Sequence, residues 1–434
     1  MSPETVSVIV LFVSFFGLLA YGLPVAYSIG VATTATLLLS VAPLPAVTTV
    51  AQRMTTGIDS FALLAIPFFV FAGELMNRAG IAGRLIDFAK AAVGALPGGL
   101  AYVNVLSAML FGAISGSAVA AASAIGSVMT DRMEREGYPR PYSAAVNITS
   151  ATTGLLIPPS NVLIVYALAS GGSASVAALF VAGYLPGVLV GLALMAVAAW
   201  IAVRGGYPPG ERAPLREVGR ALGRAALSLL MLVVIVGGIV AGVFTATEAA
   251  AVAIAYAGAL GLAYGTLRAR DLPAALLASA RTTAVVMFLI AASMAMSWLF
   301  SFESVPQRMT GFLVETVSAP VAIFLVINVT LLVVGTFMDM TPAVLIFTPI
   351  FLPVVTSLGM DPVHFGVVMV LNLCIGLCTP PVGTILFVGA GVAGVSVAEV
   401  IRPLVPFVVA MVAVLLLLTF APAVSLWLPR LFGL

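Results

Sequence analysis

The sequence predicts an all-α polytopic membrane protein, built as an inverted repeat with five spans and one re-entrant hairpin in each half. Three observations predict it. The 434 residues are 62% hydrophobic and 8% charged, with a mean hydropathy of +1.22, whereas a soluble domain is nearer a quarter charged. Apolar stretches of span length recur from one end of the chain to the other. A short polar, proline-bearing interruption of an apolar helix occurs twice.

The first interruption runs from Asn147 to Asn161 and holds Gly154 and Pro158-Pro159; the second runs from Leu371 to Thr384 and holds Gly376 and Pro380-Pro381. The glycines and the proline pairs match at one offset, 222. A double proline removes two backbone donors and breaks the helix ladder. At membrane depth this is tolerated only where the freed carbonyls line a cavity or meet a ligand. Paired breaks in corresponding places are a pointer to a transporter binding site.

On a ruler of about 20 apolar residues per span, spans fall near 5–24, 27–48, 60–78, 143–169 and 180–203. A second set falls near 225–244, 247–267, 282–302, 363–390 and 403–426. Between the third and fourth members of each set lies one more apolar block, 99–130 and 318–356, interrupted at Gly112–Ser117 and at Gly335–Pro342. Each block reads as a hairpin or as one kinked span, and the charges choose. The central connection is basic through Arg204, Arg212, Arg216, Arg220 and Arg224, which puts it in the cytoplasm. With hairpins, all but Arg53, Arg308 and Arg430 of the 18 Lys and Arg residues then face the cytoplasm. With spans, Arg78, Arg84 and Lys90 would cross over and the bias of the first half would vanish. Both termini are therefore expected in the periplasm.

Further pairs keep nearly the same offset: Gly22 with Gly242, Gly112 with Gly335, Gly137 with Gly359, and Ser175-Val-Ala with Ser396-Val-Ala. The expected division is 1–210 and 211–434. Five spans are an odd number, so the second half must be inverted. Two stretches, 79–97 and 303–315, read as amphipathic helices lying on the membrane surface. Met1-Ser-Pro-Glu-Thr lacks the basic start of a signal peptide. The only cysteines, Cys374 and Cys378, sit one helical turn apart and are expected as two weakly polar side chains beside a cavity, with no metal site. No basic cluster suggests nucleic acid.

The candidate residues cluster at the interruptions. At the first hairpin tip, Ser115, Gly116 and Ser117 would expose carbonyls suited to a hard cation and N–H groups suited to an anion. Ser123 and Ser127 serve packing. The second tip carries Asp339, a carboxylate at membrane depth. It reads as a cation ligand, a proton carrier or a helix cap, roles that are compatible. The breaks add Asn147, Thr149, Thr152, Thr153, Ser160 and Asn161, then Asn372, Cys378, Thr379 and Thr384. Neutral oxygens dominate, which suits Na⁺ better than a proton relay. Glu74, Asp59 and Glu248 lie near span ends and read as interfacial or structural. His364, the only histidine, reads as an interfacial first-turn residue. An intramembrane serine protease would need a base beside Ser115, and His364 would enter from the opposite side. A passive channel would explain the polar midplane but not two hairpin-bearing halves.

These residues resemble the large membrane subunit of tripartite ATP-independent periplasmic (TRAP) transporters, the DctM or SiaM type. The resemblance runs over essentially the whole chain. It rests on Ile66-Pro-Phe-Phe-Val-Phe-Ala-Gly73-Glu74-Leu-Met, Ser115-Gly-Ser117, Gly154-Leu-Leu-Ile-Pro-Pro159-Ser160, Asp339 and Pro380-Pro381. It implies an ion-transporter-like elevator fold and Na⁺-driven uptake of an organic acid in the bacterial inner membrane. It implies two protein partners, a small four-helix membrane subunit and a periplasmic substrate-binding protein. The small subunit is expected to be a separate polypeptide. It also implies Na⁺ near Ser115, Ser117, Gly335, Phe337 and Asp339, with Thr152, Thr153, Gly376 and Thr379 as further ligands by position. The acid is expected near Gly116, Ser160, Asn161, Asp339, Thr341 and Thr384.

Overall fold

A chain this apolar must satisfy its backbone groups within each segment, and in lipid that selects helices. A computed structural model describes residues 3–207, 214–316 and 319–434, and it contains twenty α-helices and no strand among them. The first half runs α1 (Pro3–Ala20), α2 (Val25–Ser40), α3 (Pro43–Ile58), a 3-10 turn (Phe61–Leu64) into α4 (Ala65–Arg78), and α5 (Ile81–Val93). It continues with α6 (Gly99–Ser115), α7 (Ala118–Arg135), α8 (Arg140–Ala151), a 3-10 turn (Thr152–Leu155), α9 (Asn161–Ala169) and α10 (Val176–Gly205). The second half runs α11 (Leu215–Val240), α12 (Ala246–Ala263), α13 (Leu272–Phe302), α14 (Val305–Thr316), α15 (Pro320–Phe337) and α16 (Met340–Ser357). It ends with α17 (Pro362–Cys378), α18 (Thr384–Ala393), α19 (Val397–Phe420) and α20 (Ala423–Leu431). Eight helices are long and apolar enough to cross a membrane, by length and composition, among the described residues.

Each of the two interrupted blocks is a pair of helices joined at a tip, α6–α7 and α15–α16, and the stretches expected on the membrane surface form α5 and α14. The expected broken helices appear as α8–α9 and α17–α18. The division at 210/211, residue 318 and Arg212 lie outside the described residues. Two spans differ from expectation. The stretch 27–48 is two helices, because Pro43 forbids its preceding residue the helical conformation and then starts α3 at its first position. Its counterpart in the other half also ends early, at Ala263 of α12, and α13 then runs unbroken for 31 residues, about 46 Å. The last span also divides, at Pro422, into α19 and α20.

The helices pack in two groups. One is α1–α5 with α11–α14, in which α4 lies along α12 and α3 along α13. The other is α6–α10 with α15–α20, in which α15 lies along α17 and α8 along α19. They meet where α5 lies along α6 and where α13 and α14 lie along α16.

The cysteines are not beside a cavity. Both are fully buried, and each points from α17 into the carbonyls of α8 and its end: Cys374 Sγ donates to Thr152 O and Cys378 Sγ to Ile148 O, each at 3.5 Å. His364 is not interfacial either. It stands in the first turn of α17, but its ring is buried against α20, with Nδ1 2.6 Å from Ser425 Oγ. That bond ends a chain of buried polar contacts. Asn372 Nδ2 donates to Asn328, Asn328 Nδ2 donates to Thr419 Oγ1, and the Thr419 carbonyl stands 3.5 Å from His364 Nε2.

Candidate functional site

Each hairpin tip follows from its sequence. Helix α6 stops because Gly116 takes a left-handed φ of 61°, and its N–H closes on Gly112 O at 2.8 Å. Ser117 is extended, and its hydroxyl accepts the Ala120 N–H at 3.2 Å, which caps α7. Helix α15 stops without a glycine. Met338 and Asp339 are both extended, and Asp339 is the N-cap residue of α16 with no side-chain capping bond.

The breaks are built alike. Both proline pairs, Pro158-Pro159 and Pro380-Pro381, carry cis bonds. In the first break Ser160 takes the extended N-cap conformation before α9, and its hydroxyl donates to Leu155 O at 2.6 Å. In the second, the Gly383 N–H reaches across to Thr336 O at 3.1 Å, which ties the break to the second hairpin tip.

Each hairpin crosses its break at a pair of glycines. A Cβ on Gly112 would stand 2.6 Å from Gly154 Cα, and a Cβ on Gly376 would stand 2.6 Å from Gly335 Cα. Real side chains do not come so close, so Gly112, Gly154 and Gly376 admit only glycine at this spacing, while a Cβ on Gly335 would stand 3.1 Å from Gly376 Cα. The approach brings both tips to the breaks.

The tips, the first break and the wall formed by α4 and α13 enclose a cavity of about 420 Å³. Three helices begin on it: α7 through Ala118–Ala120, α9 through Asn161 and Val162, and α16 through Met340 and Thr341. Their N–H groups and dipoles make the cavity attractive to an anion. Asp339 lines it as well, and its side chain is exposed to the cavity rather than buried in protein. The buried Asn161 Oδ1 finds no hydrogen-bond partner within the protein. The same small volume thus offers donors for a negative group and a carboxylate for a positive one.

Six expected residues meet there: Ser115, Gly116, Ser117, Asn161, Asp339 and Thr341. The others stand behind it. Thr152, Thr153 and Ser160 are fully buried in the first break; the Thr152 hydroxyl donates to Thr149 O at 2.8 Å and that of Thr153 to Ser150 O at 2.6 Å. The Thr379 hydroxyl donates to Ile375 O at 2.7 Å. Gly335 and Gly376 form the glycine crossing, while Thr384 and the exposed Phe337 lie outside the cavity. A threonine that spends its proton on a carbonyl keeps lone pairs for a cation, so the donor set fits a hard monovalent ion. Among the described residues no cluster of three His, Cys, Asp or Glu exists that would hold a transition metal.

The wall was not legible as part of the site. Ile66, Val70, Gly73, Glu74 and Asn77 of α4, with Thr282 and Val286 of α13, line the cavity. Glu74, expected at an interface, accepts from Arg78 Nε at 2.7 Å on the cavity side of α4. Gly73 was the available signal: a Cβ there would stand 2.7 Å from Ser115 O, so α4 must touch the first tip through a glycine. Ser115 has no histidine partner, since its hydroxyl points to Ser117 O at 3.4 Å and His364 is taken by Ser425.

Residues 12–424 match the family model described as "Tripartite ATP-independent periplasmic transporter, DctM component". The chain belongs to this family. A DctM-type large permease is a transporter subunit and not an enzyme. Similar relatives include the "Uncharacterized protein YgiK" of Salmonella typhimurium, 51% identical over 98% of both chains. They also include the C4-dicarboxylate TRAP transporter large permease DctM of Rhodobacter capsulatus, 39% identical over 98% of this chain and 100% of that one. The isethionate TRAP transporter permease DctMQ of Oleidesulfovibrio alaskensis is 39% identical over 96% of this DctM-type chain, which spans 66% of that longer protein. The crystal structure of the Alcanivorax borkumensis YdaH transporter aligns over 100% of this chain and 99% of its own, with a TM-score of 0.61 and 15% identity, a likeness of fold alone.

Proposed function

We propose that this permease couples Na⁺ entry to uptake of a small organic acid handed over by a periplasmic binding protein. The observation that carries the proposal is the convergence of three helix N-termini, Asp339 and Asn161 on one cavity between two hairpin tips. Its volume, about 420 Å³, lies in the range of small-molecule sites. The carboxylate of the acid would take the N–H groups of α7, α9 and α16. Na⁺, as co-substrate, would take the hydroxyl and carbonyl oxygens around Ser115, Ser117, Thr152, Thr153, Asp339 and Thr379. The names of relatives that carry C4-dicarboxylate and isethionate support an organic acid.

In this reading residues 1–210 and 211–434 are inverted repeats, with both termini periplasmic. The repeat is supported by the contact of Cys374 with Thr152, separated by 222 residues, the same offset that relates the proline pairs. In a twofold arrangement a residue meets its own counterpart only at the axis. The group α6–α10 with α15–α20 would be the moving domain and α1–α5 with α11–α14 the scaffold, with the cavity between them. Ion and acid together neutralise the polar cavity, so the loaded domain can cross an apolar wall that a partly loaded one cannot. A small membrane subunit would complete the scaffold in the inner membrane.

The test is uptake by proteoliposomes holding both membrane subunits, with loaded binding protein outside. Uptake should require an inward Na⁺ gradient. Asp339→Asn should lower it roughly tenfold or more, the worth of one hydrogen-bonded charge, and weaken its Na⁺ dependence. Unchanged uptake without a Na⁺ gradient would remove Na⁺ from the mechanism, and an unaltered Asp339→Asn variant would remove Asp339.

A further inference from the structure

Beyond the transport site, one exposed groove between two long apolar helices combines an apolar floor with a basic end. Helices α10 and α19 pack along one another and leave a groove of about 580 Å³ between them. Its floor is small and apolar: Ala193 and Ala196 from α10, Ala410 and Ala413 from α19. Trp200 and Pro406 line it as well.

The two helices are antiparallel here. Tyr142 stacks on Tyr207, just past the end of α10, and also meets Phe407, near the start of α19. Trp200 and Pro406 therefore stand toward the same end of the groove. Arg204 follows Trp200 by four residues, and Arg402 precedes Pro406 by four. Residues four apart share a helix face. Both arginines thus continue the groove faces of their helices, one turn beyond the lining.

Both are exposed, and among the described residues neither is in a salt bridge. The Arg204 guanidinium lies over the Trp200 ring, 4.4 Å from its centroid, which holds it at the groove mouth. The nearest acid in sequence to Arg402, Glu399, is spent in the capping box of α19, where it accepts from Ser396 N and Oγ at 2.8 and 2.7 Å. From residue 406 to 417 the groove follows twelve residues of α19, about 17 Å at helical rise, which suits an acyl chain.

We propose that this groove is a binding site for an anionic phospholipid, with an acyl chain along the alanine floor and the phosphate between Arg204 and Arg402. The charge argues for an anionic headgroup over a zwitterionic one, and the absence of polar lining argues for a lipid over a free phosphate. Basic pockets between membrane helices take anionic headgroups by the same physics.

The test is native mass spectrometry of the purified membrane complex, delipidated and then offered phosphatidylglycerol or phosphatidylcholine of equal chain length. Each arginine near a headgroup favours an anionic lipid about fivefold, so the wild type should prefer phosphatidylglycerol roughly 25-fold. The pair Arg204→Gln and Arg402→Gln should bring the two lipids close to parity with an unchanged melting temperature. Ala410→Phe, which fills the floor and leaves both arginines, should lower retention of both lipids. Equal retention by the wild type, or an anionic preference that survives loss of both arginines, overturns the proposal. A disulfide between Ala196→Cys and a cysteine introduced into a helix of the small subunit also overturns it, because that helix would then occupy the groove.

Discussion

Gly154→Ala puts the glycine crossing to its hardest test. A Cβ on Gly154 would stand 2.2 Å from Gly112 Cα and 2.5 Å from its carbonyl carbon. Carbon atoms are comfortable at about 3.5–4.0 Å, so the end of α6 must retreat by roughly 1 Å. Both partners are backbone, and no rotamer change can relieve the contact. Overpacking of this kind costs about 1–3 kcal/mol. The retreat also carries Ser115–Ser117 away from the cavity, and a displacement near 1 Å of positioned groups costs on the order of a hundredfold in rate. The matched control is Gly391→Ala in α18, where nothing stands within 4 Å of the added carbon and helix propensity should gain up to about 1 kcal/mol. Thermal unfolding of the purified permease and proteoliposome uptake are the readouts. Gly154→Ala should lower both, and Gly391→Ala should lower neither. A Gly154→Ala protein with wild-type melting and uptake would refute the idea that this contact sets the tip.

Three further outcomes follow from the packing. Tyr166→Phe removes the hydroxyl that donates to Pro362 O at 2.7 Å between α9 and the start of α17; loss of that bond should cost about 0.5–1.5 kcal/mol, seen as a lower melting temperature in the purified protein. Cys374 and Cys378 should resist a maleimide in the folded protein and react once it is unfolded, because both thiols are buried against α8; rapid labelling of native protein would contradict that packing. At the exposed end of α7, the hydrogen bond from Arg140, with its charge, holds the Glu134 carboxyl below the usual carboxylate range. The folded value is the lower one, so this contribution is present above the ordinary carboxylate range and is lost as pH falls through the depressed value. A pH series of melting temperatures should show that loss in the wild type and a flatter curve in Arg140→Gln.

Much of the architecture was legible because the membrane enforces it. The two helix pairs with their tips, the two breaks and the short helices α5 and α14 stand where apolar length and proline position put them. Pro43 also signals the division of 27–48, but the stretch is apolar enough to read as one span. The site was half legible. Residues that interrupt a helix announce themselves, and six of them line the cavity. Glu74, Asn77 and Thr282 sit on unbroken helical stretches, where a polar residue looks like any interfacial one.

The sequence by itself determined that the chain is helical, how often its helices break, and which residues stand at each break, because apolar length and proline chemistry act locally. Only the tertiary structure decided which breaks meet. The pairing of Gly112 with Gly154 and of Gly335 with Gly376, the burial of His364 against Ser425 and the pointing of both cysteines into α8 depend on helices far apart in sequence. So does the character of Asp339: the sequence puts a carboxylate at membrane depth, and packing opens a cavity in front of it.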